Sequence, residues 1–125
     1  MFFCDHFSFD KNNKPNLLGI FKNINLVNIP SKYLKFVVVV FLDNLNTLPG
    51  KELILKAKLL SPKGADVIPK MPNMVLPVEV DKSEGIITLE LGNVEFKEHG
   101  QHLFQLTWNS KIIGEAILVV NKVSN

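Results

Sequence analysis

Four consecutive valines, Val37 to Val40, stand inside the run YLKFVVVVFLD at 33–43. Each valine carries two heavy atoms on Cβ, which restricts its first side-chain torsion and suits the pleat of a strand better than the turns of a helix. The unbroken apolar stretch from Phe36 to Leu42 is seven residues, whereas a membrane-crossing helix needs about twenty. The run therefore predicts a strand near the middle of a sheet, and no membrane insertion.

Around it the chain alternates polar and apolar residues in short segments between turn formers, the period-two signature of half-buried strands. Phe3, Phe7 and Phe9 share one parity in a first strand over Met1 to Phe9, and DKNNKPN at 10–16 reverses the chain. LLGIF at 17–21 returns, with Gly19 marking a bulge or a close backbone approach. A strand or irregular edge follows through Ile24, Leu26 and Ile29 to Pro30. The segment at 48–64 alternates Leu53, Leu55, Ala57 and Leu59 with Glu52, Ile54, Lys56 and Lys58, which favours strand over helix. Met74, Leu76, Val78 and Val80 share the next face, DKSEG turns the chain, and Ile87, Leu89 and Leu91 lead it back. HLFQLTW and IIGEAILVV flank NSK, a connection short enough for a hairpin. About eight short strands with turns near every ten residues predict an all-β fold, a two-layer antiparallel β-sandwich.

At 125 residues the chain is expected to form one domain, 1–125, built on a single core. All 14 basic residues are lysine, and they nearly balance 12 acidic ones without a block of either sign. The planar guanidinium fork that reads guanine edges and phosphates is missing, so no nucleic-acid partner is expected. The lone cysteine, Cys4, excludes an internal disulfide, and no Lys or Arg precedes the first apolar residues as in a secretory signal. A cytoplasmic protein is the expectation.

The segments CD, KPNLLGIF, IPSKYLKF, LLSPKG and FKEHGQHLFQLTWNSKII occur in this order along nearly the whole chain. Together they resemble a family of small bacterial β-sandwich proteins catalogued as a domain of unknown function. The resemblance implies an immunoglobulin-like or C2-like sandwich and brings no activity or catalytic residues. This chain departs from the pattern at Asn13, where glycine is common, and at His102, where tyrosine is common.

Candidate chemistry is sparse. Cys4 and His6 are two apart, so an ideal strand points them to one face, but a nucleophile also needs an orienting group and oxyanion donors. A buried thiol beside an exposed histidine is the simpler reading. HGQH at 99–102 places His99 and His102 three apart, on opposite sides of a strand unless Gly100 bends it. His102 shares parity with Phe104, Leu106 and Trp108 and reads as a core-edge histidine. Asp43, Asp66 and Asp81 are isolated, unlike a calcium cluster. No nucleophile elbow or phosphate loop occurs. No cofactor or metal is expected, and no enzyme activity.

One feature points outward. A sandwich strand alternates apolar-in with polar-out, yet Val37, Val39 and Phe41 form an apolar set on the face opposite Phe36, Val38, Val40 and Leu42. Ile113, Ile117 and Val119 share parity with Glu115, and Ile54 and Leu103 sit among polar neighbours. Three arrangements account for this surplus: cover by another part of the chain, contact with a second copy or another protein, or strand addition at an edge. These eight residues are the candidate partner-binding set of a non-enzymatic binding or scaffold module. The alternatives are a small-ligand or lipid-headgroup binder using the loops at one end, and third, an enzyme built on Cys4 and His6.

Overall fold

The computed structural model describes residues 1–42, 52–71, 73–77, 85–108 and 110–123. Among them are nine strands and no helix: β1 (Phe2–Phe9), β2 (Pro15–Phe21), β3 (Asn23–Leu26), β4 (Ser31–Leu42), β5 (Glu52–Leu60), β6 (Met74–Pro77), β7 (Gly85–Phe96), β8 (Gly100–Trp108) and β9 (Lys111–Lys122). They form a four-stranded sheet in the order β2-β1-β4-β7 and a five-stranded sheet in the order β3-β9-β8-β5-β6, packed as the predicted β-sandwich. The pairings are antiparallel except that β3 runs parallel to β9. This exception arises because the chain changes sheets at Lys22, whose carbonyl accepts the Val119 amide at 2.9 Å, and continues alongside β9 instead of turning back. Val78, Val80, Asp43 and Asp81, together with the DKSEG turn up to Glu84, lie outside the described residues.

The turn after β1 is organised by Asp10. Its carboxylate accepts the amides of Asn12 and Lys14 at 2.8 and 2.9 Å, and its backbone pairs with Asn13 and Lys14. Asn13 sits at φ 60, a left-handed conformation that asparagine and glycine both tolerate, which explains the exchange noted at this position. In the β8–β9 hairpin, Ser110 at φ 70 supplies the twist that a two-residue connection needs.

The core lies between the sheets. Phe36, Val38 and Val40 of β4 meet Leu89 and Leu91 of β7 on one side, and Leu55, Leu59, Phe104, Leu106 and Leu118 on the other. Aromatic rings fill the end nearest β1: Phe3 lies 6.2 Å from both Phe36 and Phe104, edge-on, and Phe21 and Tyr33 close around Phe36. Such offset and edge contacts follow the ring quadrupole.

Two left-handed residues break the alternation. Asn93, at φ 53 in β7, separates Leu91 from Val94, yet both face the core. The paired strand slips with it, so Tyr33 and Phe36 reach one interior on either side of exposed Leu34. The β4–β7 register is the same before and after, so both strands exchange faces together. This extends β7 to Phe96, beyond the predicted return at Leu91. Gly19, at φ 69, does the same opposite Asp5 in the β1–β2 pair. Asp5's carboxylate occupies the space where a Cβ on Gly19 would sit, a close approach of the kind predicted there.

Several side chains consequently face elsewhere than simple parity placed them. Phe3 enters the main core, whereas Phe7 packs with Cys4 on the outer side and Phe9 is largely exposed. In β9 the register shifts between Leu106 and Thr107, leaving Ile113 as the extra residue. Ile113 therefore packs against the core instead of lying with Glu115, and Ile112 is pushed out to water.

Because Phe36 is fully buried between the sheets, Phe36→Ala is expected to destabilise the protein by about 3–5 kcal/mol. The half-exposed Phe41→Ala should cost about 1 kcal/mol or less. Urea denaturation of the two variants measures the difference, and equal losses would contradict the assignment of the two faces.

Candidate functional site

The outer face of the four-stranded sheet is built by three adjacent strands. Cys4 of β1 lies opposite Val37 of β4, and Phe2 opposite Val39. On the far side of β4, Val39 pairs with Thr88 and Phe41 with Ile86. Cys4 and Val39 are fully buried and Val37 is 7% exposed, because Phe7, Leu17 and Ile86 pack over and around them. The cover is therefore intramolecular for Val37 and Val39, which are not available as open contact residues. A second, smaller hydrophobic cluster on the outside of one sheet explains how the valine run is apolar on both faces.

Around this closed centre, large apolar side chains reach water. Phe2 and Phe41 make an edge-to-face pair at 5.8 Å and are 41% and 43% exposed. Phe9, 55% exposed, packs edge-on against Phe7 at 5.1 Å, and Ile20, opposite Cys4, is equally exposed. Lys35 and Glu90 form a 2.6 Å ion pair across β4 and β7, with Glu90 directly beside Val37 on this face. The middle of the face, from Phe2 and Cys4 through Val39 and Phe41 to Ile86 and Thr88, bears no charge.

The opposite outer face differs. Ile54 is half exposed between Lys56 and its neighbours on β5, and half-exposed Ile117 lies opposite half-buried Leu103. Val119 is also half-buried and sits between Gln101 and Asn23. Lys56, Lys58, Gln105 and Glu115 intersperse these apolar residues, so they form no continuous patch. At the flank where the chain changes sheets, a cleft of about 480 Å³ opens beside Phe2, Ile20, Phe21, Ala116 and Ile117. The candidate set thus divides: Phe41 joins the outer apolar face, Val37 and Val39 support it from below, Ile113 is in the core, and Ile54, Leu103, Ile117 and Val119 belong to the other sheet. Phe2, Phe9 and Ile20 were not among the candidates. Phe2 shares parity with Cys4, a signal that the common parity of Phe3, Phe7 and Phe9 masks.

Cys4 and His6 do not form a pair. The slip at Asp5 and Gly19 brings Phe7, not His6, to Cys4's side, and exposed His6 lies opposite Leu18. Burial pushes the Cys4 thiol up, a backbone hydrogen bond at His6 works against this, and the Asp5 charge adds to it. A thiol held protonated and enclosed by valines is a poor nucleophile.

His99 and His102 also separate. His99 is exposed, whereas His102 is buried edge-on against Phe96 at 5.3 Å, and its Nδ1–H donates to the Gly100 carbonyl at 3.2 Å. Its Nε2 and the Glu98 Oε2 atom are both buried without a hydrogen-bond partner among the described atoms. Burial lowers the His102 pKa, opposed by the Gly100 hydrogen bond and the Glu98 charge. For Glu98, desolvation raises the pKa but is outweighed by hydrogen bonds from Ser61 and Lys63 and by the Lys63 charge, leaving it lowered. Among the described residues, no three His, Cys, Asp or Glu side chains converge as a metal site, and no helix is long and apolar enough to cross a membrane.

These features define a β-sandwich with one apolar outer face and no assembled catalytic group among the described residues. The chain belongs to a family of unknown function, DUF6941, whose pattern matches residues 1–121. No match is found among curated proteins or among solved structures.

Two outcomes follow. Cys4 in the native protein should react with a thiol reagent at neutral pH at least tenfold more slowly than in urea, as read by mass spectrometry; equal rates would show an open thiol. A histidine whose folded pKa is depressed binds its proton more readily once unfolded, so His102 should lower stability as pH falls below its ordinary value of 6.5. Glu98 contributes its acid loss lower, below the ordinary carboxylate value of 4.5. Between about pH 7 and 5, His102→Phe should flatten the decline in denaturation midpoint; an unchanged slope would exclude His102 as its source.

Proposed function

We propose that this chain is a non-enzymatic protein-binding or scaffold module acting through the outer face of its four-stranded sheet and the adjoining edge. The observation carrying this reading is the uncharged centre flanked by Phe2, Phe41, Phe9 and Ile20. At roughly 40–55% exposure, the three phenylalanines alone leave roughly 200–350 Å² of aromatic surface in water. Divided between the two ends of β1, this surface is comparable in total with the largest apolar patch of an ordinary monomer, which is often functional. Burying it would contribute about 5–9 kcal/mol, against about 4–15 kcal/mol lost in association. The rings suit an apolar counterpart that adds its own burial, and would gain little from a charged one. The enclosed Cys4 thiol and its separation from His6 support a reading without covalent chemistry, and the lone thiol suits a reducing, cytoplasmic setting.

Capture on immobilised protein from extracts of the encoding organism tests this. Wild type should retain a stoichiometric partner, or its own untagged copy, and Phe41→Lys should lose it while keeping its circular dichroism. Identical retention by both would remove the face from consideration.

A further inference from the structure

The longest edge strand of the sandwich is β7. It ends the order of the four-stranded sheet, so among the described residues only its β4 side is paired. We infer that the free edge of β7 over Glu90 to Glu95 takes an extended, acidic segment of another protein as an added strand. This goes beyond the outer-face reading above and uses a different surface.

Opposite this edge runs the connection from Ala65 to Met71. Its Val67, Ile68 and Met71 pack against the core, and Val67 and Met71 donate their amides to the carbonyls of Leu59 and Ile68. Among the described residues no backbone hydrogen bond joins this connection to β7. The two walls border a groove of about 750 Å³. Along it, Glu90 to Glu95 spans about 17 Å in extended form, the length of an ordinary strand. Main-chain groups on an unpaired edge need water or a second strand, and extended peptides join sheets by supplying that strand.

Charge selects the segment. Of the carboxylates lining the groove, Asp66 accepts the amides of Leu59 and Ile68 at 3.2 and 3.0 Å, Glu90 is paired with Lys35, and Glu95 stands opposite Lys32. Lys70 and Lys97 also line it, with no carboxylate within ion-pair distance among the described residues. An incoming strand thus meets two uncompensated positive charges and the half-buried apolar side chains of the Ala65–Met71 wall. Alternating acidic and apolar residues satisfy both. Asn93, at φ 53, twists the edge within this stretch. That twist works against long, flat pairing with the β7 of a second copy, whereas a short segment can follow it.

A fluorescein-labelled peptide of about eight residues alternating glutamate and valine tests this on the full chain, by fluorescence anisotropy and amide hydrogen exchange. Half-saturation is expected at about 10–200 µM, weakening at least about threefold as salt rises from about 50 to 300 mM. Lys70→Glu combined with Lys97→Glu, both at exposed positions, should weaken binding at least about tenfold. Methylation of the peptide's backbone nitrogens, which keeps its charge and leaves the protein unaltered, should weaken it as much. Bound peptide should slow exchange within Glu90–Glu95, and Phe41→Lys should bind it as wild type does.

No binding up to about 1 mM overturns the inference. Equal affinity for the methylated peptide also overturns it, since charge attraction alone would then account for binding, as does slowed exchange confined to regions outside β7 and the Ala65–Met71 wall. Exchange within Glu90–Glu95 that slows with the concentration of the protein alone assigns the edge to a second copy and overturns it too. Peptide binding that fails while Phe41→Lys still loses a captured partner removes the β7 edge and leaves the outer-face reading standing.

Discussion

Strand β4 is the member on which the rest of the fold leans. Its even-numbered residues from Phe36 to Val40 fill the space between the sheets, while Val37 and Val39 anchor a second cluster on the outside. It is hydrogen-bonded along both edges, to β1 and to β7. A strand buried on both faces has no polar side to lose, so four β-branched residues in a row are an advantage there. The aromatic contacts at the β1 end of the core gather around Phe36 and Phe3, with Phe21 and Tyr33 also touching each other.

The outer cluster exists because the neighbouring strands do not follow strict alternation. Asp5 and Gly19 change sides together, and so do Leu34 and Asn93, without any loss of register. The first slip turns Phe7 and Leu17 towards Cys4, closing the face over Val37 and Val39. The second returns Val94, Phe96 and Tyr33 to the interior. One left-handed residue per pair thus decides whether a side chain supports the core or the surface. It is also what parts Cys4 from His6 and so removes the one nucleophile-and-base pairing that spacing had suggested.

The two outer faces differ as a result. The five-stranded sheet intersperses its exposed apolar residues with lysine, glutamate and glutamine, as a solvated surface does. The four-stranded sheet presents exposed rings around a closed cluster of buried valine and cysteine. For the outer-face contact proposed above, a closed cluster of this kind reduces the ordering cost of association.

The strand class, the central position of the valine run, the turn at Asp10 and the presence of an apolar surplus are all legible in the linear order of residues, because each depends on period-two patterning or on local turn chemistry. Which surplus residues reach water is not legible there. Val37 and Phe41 have the same parity and similar hydrophobicity, yet one is enclosed and the other half exposed, a distinction set by Cys4, Phe7 and Leu17 arriving from distant parts of the chain. Ile113 and Ile112 exchange roles for the same reason, since a register shift is a property of two strands and not of one. Local sequence chose the strands; three-dimensional pairing, through a few slips of face and register, chose which of their oily side chains remain outside.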